Sequence, residues 1–272
     1  MPLTVAAWNV RDAFSEAYPT VNVLSEFRQL NPDVAVISEA YAEGKTTLVD
    51  GVLEAFDAQG YHVTDVPYND DDGREDRHNM IVLARKEFVA STAPIRLATR
   101  TAVALTLRHP DTKREIDLYG VHLDDRHEER RLGQATTLLA DVDPNTPTVI
   151  AGKFNALDRT DPDARKLRMV APLTKLLPSK DPAPGGRRSP IFPRRFGSLA
   201  QRLTEMADGG TMAVFDEAGF TDADSQHLPT KGRFHLDRIL LSDGLKIQNG
   251  TFHSKTVNGF DNSLISATVR PF

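Results

Sequence analysis

Five short segments each place a polar side chain where an apolar, strand-like run ends. They are Asn9 in AAWNV, Glu39 in VISEA, His122 in YGVHLD, Asn155 in IAGKFNA and Asp237 in HLDRILLS, with Asp261 and Asn262 following in GFDNSLIS. Layered α/β proteins present catalytic groups on the loops that such strands feed. Taken singly, an Asn or Asp in this position also reads as a turn former whose side chain bonds nearby backbone. Asp237 also reads as half of a strand-end ion pair with Arg238 or a neighbour. The sequence contains no cysteine, which excludes disulfides, zinc–thiolate centres and thiol nucleophiles.

The elements that must position these residues follow from hydrophobic periodicity. Residues 3–10 form an apolar, β-favouring run. A helical pattern then puts Val23, Leu24, Phe27 and Leu30 on one face, and Asn31-Pro32 ends it. Residues 34–38 read as a buried strand that stops at Glu39, and residues 46–59 as a helix stopped by Gly60. Short strands are predicted over 61–66, 80–84, 102–108, 116–119 and 148–151, and a helix over 127–140 with Leu132, Ala135, Leu138 and Leu139 inward. Strands return over 235–241, 245–251 and 263–269. Many strands without clean β-α alternation point to an α/β (α+β) fold of two packed mixed sheets with helices outside. Trp8 is expected in the core. Arg130 and Gln134 are expected to organise the fold rather than touch substrate.

The chain has 272 residues, 40% of them hydrophobic and 26% charged, with a formal net charge of −5. This is ordinary globular composition, with no overall attraction to nucleic acid. The absence of repeats and linkers argues for one domain over residues 1–272. Within it, residues 178–195 (PSKDPAPGGRRSPIFPRR) read as a Pro/Gly-rich insertion made basic by Arg187, Arg188, Arg194 and Arg195. It is a surface insertion or a substrate-contacting loop. No run approaches the roughly 20 apolar residues that span a bilayer. The first ten residues lack a basic n-region, so a cytoplasmic location is expected unless a targeting segment has been trimmed.

In order and spacing these motifs resemble the endonuclease/exonuclease/phosphatase superfamily, whose pattern runs W-N, a glutamate near residue 40, an H-x-D-like segment, G-D-x-N, an I-D-type strand and S-D-H. The match spans residues 5–269. It implies a four-layer α/β/β/α sandwich and metal-dependent phosphoester hydrolysis. The resemblance makes Glu39 the main carboxylate ligand of Mg²⁺ or Mn²⁺, with Asn9 beside it, since hard oxygen donors suit these ions. It gives His122 and Asn155 the non-bridging phosphate oxygens, and Asp237 the orientation of a final histidine. Asp261 becomes a further carboxylate at the metal or nucleophile side, and Asn79, after His78, a phosphate contact. Nucleic acid is the largest substrate class in the superfamily, and the basic insertion could track a phosphate backbone. A phospholipid headgroup or small phosphorylated metabolite stays open.

Two landmarks are replaced. Lys153 stands where the family has aspartate, and Asn262 where it has the histidine that Asp237 would orient. General base catalysis contributes typically 10²–10⁴-fold, and an amide takes no proton near neutral pH. An ammonium about 4 Å from Mg²⁺ would be repelled by roughly 8 kcal/mol at an effective dielectric of 20. An ammonium can also bind phosphate directly. The expectation is therefore an Mg²⁺-dependent nuclease- or phosphatase-type hydrolase impaired in this chain. The rival is a non-catalytic module of the same fold that binds a phosphorylated ligand or a protein. Deliberate inactivation, a natural pseudoenzyme and a rewired, less metal-dependent enzyme all fit the two replacements.

Overall fold

Strand β1 (Leu3–Asn9) turns Leu3, Val5 and Ala7 one way and Ala6 and Trp8 the other, and both sets are buried in separate apolar clusters. A strand covered on both faces is an interior strand of a layered fold, and the rest of the chain supplies the layers. The computed structural model describes residues 2–11, 13–15, 17–41, 49–66, 79–97, 100–108, 112–158, 207, 210–226, 228–231, 234–248, 251–257 and 260–271. The basic segment 178–195 and the acidic loop before Asn79 lie outside the described residues.

In chain order β1 is followed by α1 (Ala17–Leu30), β2 (Val34–Ser38), α2 (Val49–Ala58), β3 (Tyr61–Val66) and β4 (Met80–Arg85). Next come β5 (Val89–Leu97), β6 (Arg100–Arg108), β7 (Glu115–His122), α3 (Glu128–Asp141) and β8 (Thr148–Lys153). The chain closes with α4 (Gly210–Glu217), β9 (Thr221–Asp222), β10 (Asp237–Leu241), β11 (Leu245–Ile247), β12 (His253–Thr256) and β13 (Ser263–Pro271). One mixed sheet has the order β11-β13-β1-β2-β4-β3, with β12 also on β13; the other runs β5-β6-β7-β8-β10-β9.

The two sheets pack face to face through one cluster that includes Val5, Val36, Val82, Leu105, Leu118, Val149, Ile239 and Ile265. The outer face of the first sheet is covered by α1 and α2 through Val23, Phe27, Val52 and Phe56. The outer face of the second is covered by α3 and α4 through Ala135, Leu138, Met212 and Phe215. These are the four α/β/β/α layers expected. Gly120 lets the sheets approach: a Cβ there would lie 2.7 Å from Val82 Cγ2, inside van der Waals contact.

Most element boundaries agree with the sequence to within two or three residues, but four elements were not foreseen. Strand β5 carries Pro94 and is exposed along most of its length, so it shows no apolar alternation. Its place at the sheet edge is what permits a proline there. The two-residue β9, the mostly exposed β12 and the eight-residue α4 lack a strong periodic signal. The expected strand over 235–241 begins at Asp237, and the one over 245–251 ends at Ile247.

Candidate active site

The strand faces that fill the space between the sheets are apolar until they reach one end of the sandwich, where they turn polar. On β1 the inward series Leu3, Val5, Ala7 ends in Asn9, and on β2 Val34 and Val36 end in Ser38. On β7 Ile116 and Leu118 lead to His122, and on β8 Val149 and Ala151 lead to Lys153. On β10 Leu241 and Ile239 lead back to Asp237. Strand direction makes these ends coincide: β1 and β2 are parallel with Asn9 beside Ser38, and β7 and β8 are parallel with His122 beside Lys153. Antiparallel β10 puts Asp237 opposite Lys153. Side chains in direct register share a face, so His122, Lys153 and Asp237 form one row.

Backbone conformation aims several of these groups. Glu39, Asn155 and Arg11 have φ of 50°, 54° and 46°, a left-handed region that costs a non-glycine residue roughly 1–2 kcal/mol. Such strain clusters at functional sites. Before Lys153, Gly152 has φ 131°, and a Cβ there would sit 2.1 Å from the Val121 carbonyl oxygen. Only glycine fits at that step.

Lys153 Nζ reaches from the second sheet to the first and donates to Glu39 Oε1 at 3.3 Å. The lysine side chain is 3% exposed and the glutamate 17%, so little water screens the pair. His122 Nε2 lies 3.8 Å from the same Glu39 oxygen, and its Nδ1 has no hydrogen-bond partner among the described residues. Burial holds the His122 ring well below its ordinary pKa, Arg100 and Lys153 push it the same way, and Glu39 opposes them. The imidazole is therefore neutral near pH 7. Burial pushes the Asp237 carboxyl upward, opposed by the charge on Lys153. The Thr230 hydroxyl lies near enough to favour the charged form, but neither Asp237 oxygen has a partner at full hydrogen-bond geometry among the described residues, and Arg238 is paired instead with Asp222 at 2.6 Å. The strand-end ion pair with Arg238 is thus ruled out for Asp237.

Asn262 joins the site from the start of β13. Its Nδ2 donates to Asn9 Oδ1 at 3.2 Å, and its backbone oxygen accepts from Trp8 Nε1 at 3.2 Å. Asn9 Oδ1 also accepts from the Arg11 backbone N–H, leaving the buried Asn9 Nδ2 without a partner among the described residues. Asn155 donates to the Leu123 carbonyl at 2.9 Å, which commits one of its two amide hydrogens to the fold. Asn79 pairs by its backbone with Ala40, next to Glu39, and with Tyr41, and its side chain bonds the Tyr41 hydroxyl. Asp261 is on the rim, 63% exposed, in an ion pair with Arg11. Arg187, Arg188, Arg194 and Arg195 lie outside the described residues.

Three residues at the site escaped the sequence reading. Lys231, half-buried, bridges Asn262 through its backbone and is close enough to Lys153, Glu39, Arg11 and Asp237 to feel all four charges. Burial, then Lys153, push its pKa down. Buried Arg100 donates to the His122 carbonyl at 3.3 Å and pairs with Asp125 at 3.2 Å. Thr230 Oγ1 accepts from the Asp237 backbone N–H at 3.0 Å, fixing the start of β10. The residues expected to organise the fold do so: Gln134 accepts from the Asp124 backbone N–H at 2.8 Å, and Arg130 lies 3.7 Å from the Asp124 carboxylate.

A model of the Endonuclease/Exonuclease/phosphatase family matches residues 6–254, nearly the whole chain. The chain belongs to this family. Solved structures of the same fold include an endonuclease/exonuclease/phosphatase from Beutenbergia cavernae, at 16% identity and TM-score 0.68, covering 99% of this chain and 72% of that one. The human Nocturnin catalytic domain with bound sulfate anion aligns at 15% identity and TM-score 0.62, covering 100% and 95%. A mannosyl-6-phosphatase from Bacteroides thetaiotaomicron aligns at 11% identity and TM-score 0.59, covering 98% and 99%. No curated protein matches the chain by sequence. Members of this superfamily are hydrolytic phosphoesterases and generally depend on a divalent metal. Among the described residues no helix is long and apolar enough to cross a membrane.

The residues present do not fit a divalent cation. Magnesium takes several oxygen ligands in a tight octahedron. Here Glu39 is engaged by an ammonium, the Asn9 oxygen is used twice, and Asp261 is turned out to Arg11. No group of three or more His, Asp or Glu suited to a metal occurs among the described residues.

Proposed function

We propose that this chain binds a phosphorylated ligand at the polar end of the sandwich and that Lys153 and Asn262 suppress its hydrolysis. The single observation that carries this reading is the buried Lys153–Glu39 pair at 3.3 Å. It puts a fixed positive charge on the carboxylate that Mg²⁺ or Mn²⁺ would need. Family chemistry uses such an ion to polarise the phosphoryl oxygen and lower the pKa of attacking water. In this chain neutral His122 remains as a donor or acceptor toward a phosphoryl oxygen, and Asp237 stands in the same row, across Lys153. The proposed reaction is thus phosphodiester or phosphomonoester hydrolysis, slow or absent here. Residues 1–272 act as one domain on this reading, which the pairing of Leu3 with Val269 supports by tying the two ends of the chain into one sheet.

Nucleic acid is the first substrate class to test, on the strength of the four arginines in segment 178–195. The sulfate on the Nocturnin neighbour and the phosphatase name of the Bacteroides neighbour keep small phosphoesters beside it. The test is a panel of DNA, RNA and small phosphomonoesters and diesters. It is run with Mg²⁺, Mn²⁺ or EDTA on the chain and on Lys153→Asp with Asn262→His. The expected result is a gain of at least about 10³-fold in divalent-dependent hydrolysis on one substrate class in the double variant. No gain on any substrate by a folded double variant contradicts the reading.

A further inference from the structure

Each of the two replacements engages one member of a pair. Lys153 engages Glu39, and Asn262 engages Asn9, the pair that the family resemblance assigns to the metal. The orientation of the Asn9 amide follows from its partners. A backbone N–H can only donate, so the Asn9 atom facing Arg11 N at 3.2 Å must be the oxygen. The same oxygen takes the Asn262 amide. Its NH₂ is therefore the end left over, buried and without a partner among the described residues. An orphaned buried donor is costly and calls for an acceptor.

Two lysines share that end of the sandwich with the donor: Lys153 at the end of β8, and Lys231 on the segment bridged to Asn262 and within electrostatic reach of Lys153. Lysine binds phosphate as a compact point charge with three donors. A site holding an amide N–H and two ammonium groups presents hydrogen-bond donors to a ligand, which is what phosphate oxygens require and a metal ion cannot use. The acceptors left over, the Asp237 carboxyl and Asn262 Oδ1, match the P–OH hydrogen of a singly protonated phosphate or a hydroxyl of its ester.

Resting on the reading of this site as one for a phosphorylated ligand, we propose that Lys153, Lys231 and the Asn9 amide form a phosphate-binding site that works without a divalent metal. Lys153 supplies in covalent form the positive charge that a bound ion supplies elsewhere in the fold. Asn262 adds a second donor to the Asn9 oxygen that the Arg11 N–H already holds, so the Asn9 donor, not its acceptor, is left for the ligand.

Calorimetric titration of the full chain with inorganic phosphate in EDTA, and again in millimolar Mg²⁺, tests this. Binding should appear in EDTA and should not tighten with Mg²⁺. Lys153→Met should weaken it at least about tenfold, the loss expected when a charged donor is removed. Lys231→Met, whose half-buried side chain is not needed for the backbone bridge, should weaken it in the same direction if Lys153→Met fails to fold. Phosphate binding that appears only with Mg²⁺ would overturn metal independence while leaving the phosphoester reading intact. Binding unchanged in a folded Lys153→Met and in Lys231→Met would overturn the assignment of the donors. No binding by the folded chain in either buffer would sink both this inference and the function on which it rests.

Discussion

Lys153 and Asp237 stand directly opposite each other in the register of β8 and β10, yet the ammonium bonds Glu39 across the sandwich rather than the carboxylate beside it. Asp237 is left fully buried with neither oxygen hydrogen-bonded among the described residues. A carboxylate in that condition works against folding.

Asp237→Asn should accordingly raise stability at neutral pH, because it removes a charge whose burial is unfavourable while keeping the side chain's size and shape. Burial raises the folded-state pKa of Asp237 above its unfolded value, so the native state holds the proton more tightly. As pH rises from the unfolded value through the folded one, the original chain loses stability that the variant keeps. Melting curves of the two proteins from pH 4 to pH 8 should diverge as pH rises. Parallel curves would mean that Asp237 is solvated or paired.

Gly152→Ala should destabilise by roughly 3 kcal/mol or more, combining backbone strain with a steric clash. The Cβ would lie 2.1 Å from the Val121 carbonyl oxygen at a φ of 131°. Because Lys153 follows directly, the variant should also lose phosphate binding. Urea unfolding, with phosphate titration of any folded material, measures both. A variant as stable as the parent would show that β7 and β8 do not approach this closely.

Much of this was legible in the sequence. The strand ends carrying Asn9, Glu39, His122, Lys153, Asn155 and Asp237 are motifs with an apolar run in front of them, and five of these six residues gather at one end of the sandwich. Asn155 spends part of its amide on Leu123 beside them. The four-layer fold was legible for the same reason, since buried strands and amphipathic helices carry periodic signals. Lys231 was not: in PTKGRFHLD it has no strand before it, and only the bridge to Asn262, 31 residues on, brings it in. Nor was the pairing of Asp261 with Arg11, which depends on the left-handed turn after β1. Long-range pairing between short loops leaves no local pattern to read.

If nucleic acid is the ligand, replacing Arg187, Arg188, Arg194 and Arg195 with serine should weaken DNA or RNA binding. It should also flatten the salt dependence by roughly 0.7–0.9 per arginine in the log–log slope, with little change in melting temperature. Fluorescence anisotropy over a range of salt concentrations reads this. An unchanged slope would remove the sequence support for nucleic acid and favour a small phosphoester.

The central claim is that the Lys153 ammonium takes the place of the cation at Glu39, and calorimetric titration with Mg²⁺ tests it most directly. The parent chain should give no saturable heat. Lys153→Ala should recover part of the binding by lifting the repulsion, and Lys153→Asp more by adding an oxygen donor. In each variant the added substitution Glu39→Gln should abolish what was gained. Equal Mg²⁺ affinity in the parent and in Lys153→Asp would mean that Lys153 turns away from Glu39 in solution, and would contradict the account.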